Sequence, residues 1–120
     1  MTFPGARRNL YGFLLILPFS LPFLPIPSLA STQKVFSISI QNHTFRPDTI
    51  HIRQNQPFTL HVTNNGNHPE EFESYDLEFE IIILPHRSID VPIRPLPQGS
   101  YEIFGDFHPR TARGTIKVLP

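Results

Sequence analysis

The chain has 120 residues, ten Lys and Arg balanced by ten Asp and Glu, and no cysteine. That length allows one domain, the missing cysteines exclude disulfides and any thiolate-held metal, and the lack of a basic surplus speaks against nucleic acid as a partner. No Gly-x-Ser-x-Gly elbow, His-Glu-x-x-His helix or phosphate-binding glycine loop is present, which removes the common hydrolytic and nucleotide-binding chemistries.

Residues 1–30 read as a secretory signal peptide. Arg7 and Arg8 precede an apolar run from Tyr11 to Pro27, and Ser28 and Ala30 supply the small residues a signal peptidase reads, so cleavage is expected after Ala30. Pro18, Pro22, Pro25 and Pro27 break up a stretch that would need about twenty apolar residues to span a bilayer, which disfavours a transmembrane anchor. Arg7-Arg8 followed by Asn9-Leu10-Tyr11 matches a twin-arginine signal only loosely. Residues 31–120 are then the folded domain, with eight Lys and Arg against ten Asp and Glu. A domain of this size buries roughly 60% of its unfolded surface and, without disulfides, must be held by burial and backbone pairing alone.

Alternation with period two recurs along this domain, and no stretch sustains a helical period. Phe36, Ile38 and Ile40 give a first strand ending at Gln41-Asn42-His43; Pro47-Asp48 marks a turn before a strand through Ile50 and Ile52. Phe58, Leu60 and Val62 make a third, stopped by Asn64-Asn65-Gly66-Asn67, residues that tolerate left-handed backbone angles. Glu70, Glu71, Glu73, Asp76, Glu78 and Glu80 follow without an intervening Lys or Arg, alternating with Phe72, Tyr75, Leu77 and Phe79, which predicts a half-buried acidic strand with Leu77, Phe79, Ile81 and Ile83 on one face. After Pro85-His86-Arg87, Ile89, Val91 and Ile93 form a strand in which Pro92 favours an edge. The turn Pro95–Gly99 leads into a final pair, Tyr101–Phe104 and Thr115–Val118. Seven short strands about ten residues apart predict an all-β fold, a two-sheet Greek-key β-sandwich.

The segments Asn42-His-Thr-Phe-Arg-Pro-Asp48, Gln56-Pro-Phe58, Val62-Thr-Asn-Asn65, Pro69-Glu-Glu-Phe-Glu-Ser74 and Phe104-Gly-Asp-Phe-His-Pro109 with Gly114 carry a resemblance to the cupredoxin fold. The fourth and fifth of those segments, through Pro69–Ser74 and Gly105–Pro109, more narrowly resemble the EfeO-type cupredoxin-like domains of periplasmic iron-uptake systems. In a blue-copper cupredoxin the first histidine ligand follows an Asn-Asn turn and the second sits three residues after a cysteine. Read onto this chain, those positions fall at Glu70, Gly105 for the cysteine, and His108, with the axial methionine near Thr111 or Ala112. One of four ligands remains, so the resemblance implies the fold and not blue-copper electron transfer.

Oxygen donors plus one imidazole suit a harder cation than a thiolate site does. The expected ligands are Glu70, Glu71, Glu73, Asp106 and His108, with iron or copper as the ion. His68 is an outside candidate, Glu102 faces either way, His43, His51 and His61 are expected to face solvent, and His86 is expected to be inert. The resemblance implies an exported periplasmic carrier that hands its ion to an inner-membrane iron permease or a periplasmic iron-binding protein. Two alternatives stand beside it: a copper-dependent ferrous-iron oxidase, which would make the chain a ferroxidase-like enzyme, and a metal-free module whose acidic strand meets a basic partner.

Overall fold

The computed structural model describes residues 1–2, 4–5, 12, 14–28 and 32–120. The Arg7-Arg8 pair and the Ala30 cleavage position lie outside these residues. The described part of residues 1–30 carries no helix or strand, and its side chains from Leu14 to Ile26 are exposed. No helix among the described residues is long and apolar enough to cross a membrane.

Residues 32–120 fold as nine strands: β1 (Lys34–Gln41), β2 (Thr44–Arg46), β3 (Thr49–Arg53), β4 (Phe58–Asn64), β5 (Glu70–Ser74), β6 (Phe79–Ile83), β7 (Ser88–Ile93), β8 (Gly99–Gly105) and β9 (Arg113–Leu119). A four-stranded sheet runs β2-β1-β4-β7 and a five-stranded sheet β3-β9-β8-β5-β6. Both are mixed, because β1 pairs parallel with β4 and β3 parallel with β9. The period-two pattern decides which face turns inward: β4 alternates buried Phe58, Leu60 and Val62 with partly exposed Thr59, His61 and Thr63. Ile38, Ile50, Phe72, Ile83, Val91, Ile103 and Ile116 join them to form the core between the sheets. Each such side chain contributes about 1.5–3 kcal/mol on burial, which is how a domain without cross-links is held.

Two of the nine strands depart from the sequence reading. Gln41 pairs with Thr44, leaving only Asn42 and His43 between β1 and β2, both at left-handed angles (φ 50° and 57°). That is the turn geometry whose twist suits a hairpin, so a short extra strand forms where a loop was expected. The acidic stretch is also not continuous. Tyr75–Glu78 is a turn, Glu78 sits at φ 59°, and Leu77 is buried from the turn rather than from a strand. Ser74 fixes this break: its Oγ donates to the Glu102 carbonyl at 2.6 Å and accepts from the Leu77 amide at 3.2 Å. Pro92 lies on β7, the edge of the four-stranded sheet, as its missing N–H requires.

Candidate metal centre

Three connections meet at one pole of the sandwich: the Asn42-His43 hairpin, the segment from Asn64 to Glu70, and the segment from Gly105 to Ala112. The parallel pairing of β1 with β4 brings the first two together, since Ile40 lies opposite Asn64 and the Asn65 amide donates to the Ile40 carbonyl at 2.9 Å. None of Asn64, Asn65, Gly66 and Asn67 adopts a left-handed angle. Instead the buried Asn64 side chain organises the segment: its Nδ2 donates to the carbonyls of His68 (2.8 Å) and Ile83 (3.0 Å), and its Oδ1 accepts from the Gly66 amide (2.9 Å). The third connection closes on itself, with the Gly105 amide donating to the Ala112 carbonyl and the His108 amide to the Gly105 carbonyl.

Glu70, at the first position of β5, shares the inward face with Phe72 and is only 2% exposed. Its carboxylate is fully engaged. Oε1 accepts from the amides of Phe107 (3.0 Å) and Glu71 (3.1 Å), and Oε2 accepts from His108 Nδ1 at 2.6 Å. The His43 ring stacks on the His108 ring, centroids 3.6 Å apart with planes 19° from parallel. One donor atom from each of His43, Glu70 and His108 lies within 4.8 Å of the others, and among the described residues this is the sole trio of His, Asp and Glu donors so close. Lone pairs on stacked imidazoles run side by side, so an ion bound by both requires exposed His43 to turn about its side-chain torsions. The short link between Nδ1 and Oε2 also has to open, because two donors at about 2.05 Å from a tetrahedral ion stand about 3.3 Å apart.

Gly105 explains why no thiolate belongs here. A Cβ at that position would come within 2.6 Å of the Glu70 Cδ, 2.7 Å of its Oε1 and 2.8 Å of the Ala112 Cβ. The carboxylate therefore fills the space that a side chain at residue 105 would need. The donors present fit a nitrogen and oxygen ion site and do not fit a copper–thiolate centre.

In comparison with known proteins, the profile of the cupredoxin-like domain family matches residues 13–118. The chain belongs to the cupredoxin-like domain family. It is 44% identical over 81 residues to the uncharacterized protein RP394 of Rickettsia prowazekii (strain Madrid E), an alignment covering 68% of this chain and 65% of that protein. The cupredoxin-like chain thus spans just under two thirds of that relative's length. Its fold is similar to the metal-binding domain of the Cu(I)-exporting P-type ATPase CopA of Streptococcus pneumoniae D39, with a TM-score of 0.62 at 14% identity over 72% of this chain and 85% of that one. It is likewise similar to auracyanin A, a blue copper protein of Chloroflexus aurantiacus, with a TM-score of 0.61 at 12% identity over 71% of this chain and 98% of that one.

Within this cupredoxin-like domain the five expected ligands separate into two groups. Glu70 and His108 meet in the trio with His43, which the sequence reading had assigned to solvent. His43 is indeed exposed, but the two-residue hairpin carries it over the pole and onto the His108 ring. The one signal available was Asn42, a residue suited to such a turn, at the end of a strand. Glu71 and Glu73 point the other way, because they alternate with core-facing Phe72 on β5. Asp106 is exposed beside them, its amide donating to the Glu71 carbonyl at 2.9 Å. His68 stands near the trio, its ring centroid 6.1 Å from that of His43. Glu102 is held by Arg113, His61 Nδ1 lies 2.6 Å from Asp90, and His86 bonds Asn67.

The outer acids perturb one another. A hydrogen bond with the Glu80 side chain, then partial burial and the charges of Glu80, Asp106 and Glu73, push Glu71 up from 4.5 to about 7. Burial, followed by the charges of Glu80 and Asp106, raises Glu73 as well. The folded chain thus keeps a proton on Glu71 that the unfolded chain releases near pH 4.5. This group favours the fold below pH 4.5, and the preference is lost as pH rises through about 7. Thermal melts with chelator present should show wild type losing stability between pH 5 and pH 8, and Glu80→Gln losing less. Parallel curves for the two proteins would contradict this assignment.

Proposed function

We propose that the chain is an exported module that binds a borderline transition-metal ion at His43, Glu70 and His108. One observation carries the reading: a buried carboxylate and two imidazoles, delivered by three separate connections, converge at the pole of a cupredoxin-like domain. Two histidines and one carboxylate with open positions are a donor set suited to ferrous iron, and copper(II) is also accommodated by nitrogen and oxygen donors. When bound, the ion would supply a Lewis-acidic or redox-active centre, and the chain's residues hold and orient it. Glu70 supplies the fixed negative charge, aimed by two backbone amides; His108 is oriented by Glu70; exposed His43 closes over the ion from solvent.

In this proposal residues 1–30 direct export to the periplasm. The ion is cargo in an iron-uptake route, passed to an inner-membrane permease or a periplasmic iron-binding protein. The Pro69–Ser74 and Gly105–Pro109 segments, through their resemblance to EfeO-type domains, are what support the iron route, while the copper proteins of similar fold support copper(II) as the competing ion.

Titrating the purified chain with Fe(II) under anaerobic conditions, and separately with Fe(III) and Cu(II), tests the core of the proposal. One ion per chain is expected, with His43→Ala weakening it by about tenfold or more, the scale on which a site loses affinity when a supporting group goes. Binding no tighter than millimolar for all three ions would defeat it.

A further inference from the structure

Six histidines occur in the chain, and three of them, His43, His68 and His108, gather at the pole that holds the trio. His61 and His86 are engaged elsewhere, by Asp90 and Asn67. His68 is placed by its backbone, because buried Asn64 donates to its carbonyl at 2.8 Å and Pro69 restricts it to extended angles. Its ring is exposed and has room to turn about its side-chain torsions. His43 and His68 together border two hollows: a recess of about 300 Å³ that reaches Asn64 and Glu70, and a more open one shared with Phe107 and His108. Three imidazoles and one carboxylate thus border adjoining space.

We propose that His68 is a fourth ligand to the ion held by His43, Glu70 and His108, an inference that rests on the function proposed for that trio. Spacing is the argument. A ring nitrogen about 2.05 Å from an ion puts the ring centre about 3.2 Å away, so two imidazoles on one tetrahedral ion stand about 5 Å apart. The His43 and His68 centroids lie 6.1 Å apart with planes inclined by 48°, close to that separation. The stacked His43 and His108 rings, at 3.6 Å, are too near. His68 stands outside the 4.8 Å of the trio as it lies, and joins it by turning its side chain. Imidazole suits copper, and affinity at nitrogen and oxygen sites rises from iron(II) to copper(II), so a third imidazole tilts the choice between the two ions towards copper(II).

Copper(II) bound to the full chain reports its nitrogen ligands by pulsed electron paramagnetic resonance. Wild type should show three coordinated imidazoles at one ion per chain. His68→Ala should show two, with copper(II) affinity reduced about tenfold or more and iron(II) affinity reduced less. The variant keeps the carbonyl that Asn64 holds, so its melting temperature should match that of wild type. His51→Ala, exposed on β3, should change nothing. An unchanged imidazole count and copper(II) affinity in His68→Ala would overturn the role of His68, and their loss in His43→Ala alone would then leave the trio standing. Equal losses in His51→Ala would also overturn it, as binding by scattered surface histidines. Failure of wild type to bind copper(II) would overturn it too, and failure with iron ions as well would take the proposed function with it.

Discussion

Gly105→Ala is expected to lower the melting temperature by about 10 °C, although it adds a single methyl group. The added carbon would meet the Glu70 Cδ at 2.6 Å and the Ala112 Cβ at 2.8 Å, neither of which can yield easily. Ala112 is fully buried, and the Glu70 carboxylate is held by two amides and His108. Overpacking of this kind costs about 1–3 kcal/mol, and in a domain of this size each kcal/mol moves the melting temperature by about 4–8 °C. Gly105→Cys should be at least as damaging alone. Combining it with Glu70→His removes the obstructing carboxylate and sets an imidazole, a thiol and His108 around one point, so stability should partly return and copper(II) should now give an intense thiolate-to-metal absorption. Wild-type melting by Gly105→Ala would mean that the carboxylate does not occupy the space argued for it.

Glu70 itself should show the second-largest effect, and two substitutions divide its roles. Glu70→Ala strands the Phe107 amide, removes the partner of His108 and leaves a cavity at the end of the core. Together these should cost about 3 kcal/mol by denaturant unfolding, with metal binding lost. Glu70→Gln keeps the shape and an oxygen for the two amides, so it should cost only about 1 kcal/mol. It removes the only buried negative charge among the trio, so affinity for Fe(II) or Cu(II) should still fall by about a hundredfold. A glutamine variant that binds these ions as wild type does would show that Glu70 is a structural acceptor and not a ligand.

Much of the fold was legible because its rule is local. Alternation on β1, β4, β7 and β9 follows from a two-residue repeat and a dry interior, and Pro92 marked an edge because it lacks a donor. The hairpin strand β2 was not legible, since Asn42-His43 lacks the glycine that usually announces such a turn. The break at Tyr75–Glu78 was hidden by alternation that continues through it, and Ser74, which enforces it, acts through a carbonyl 28 residues away.

By itself the sequence determined that no thiolate could hold a metal here and that an all-β sandwich would form, and it named Glu70 and His108 as candidates, which the fold brings within 2.6 Å of each other. These follow from residue identity and from spacing along the chain. Only the tertiary structure decided the company each acid keeps. The two-residue turn brought His43 to the pole, the β-strand alternation turned Glu71 and Glu73 to the opposite face from Glu70, and the packing of Gly105 against a carboxylate fixed what could stand there. Adjacent acids on a strand are separated by the sheet itself, and residues 27 to 65 positions apart in the chain are joined by it, so neither relation can be read from distance along the sequence.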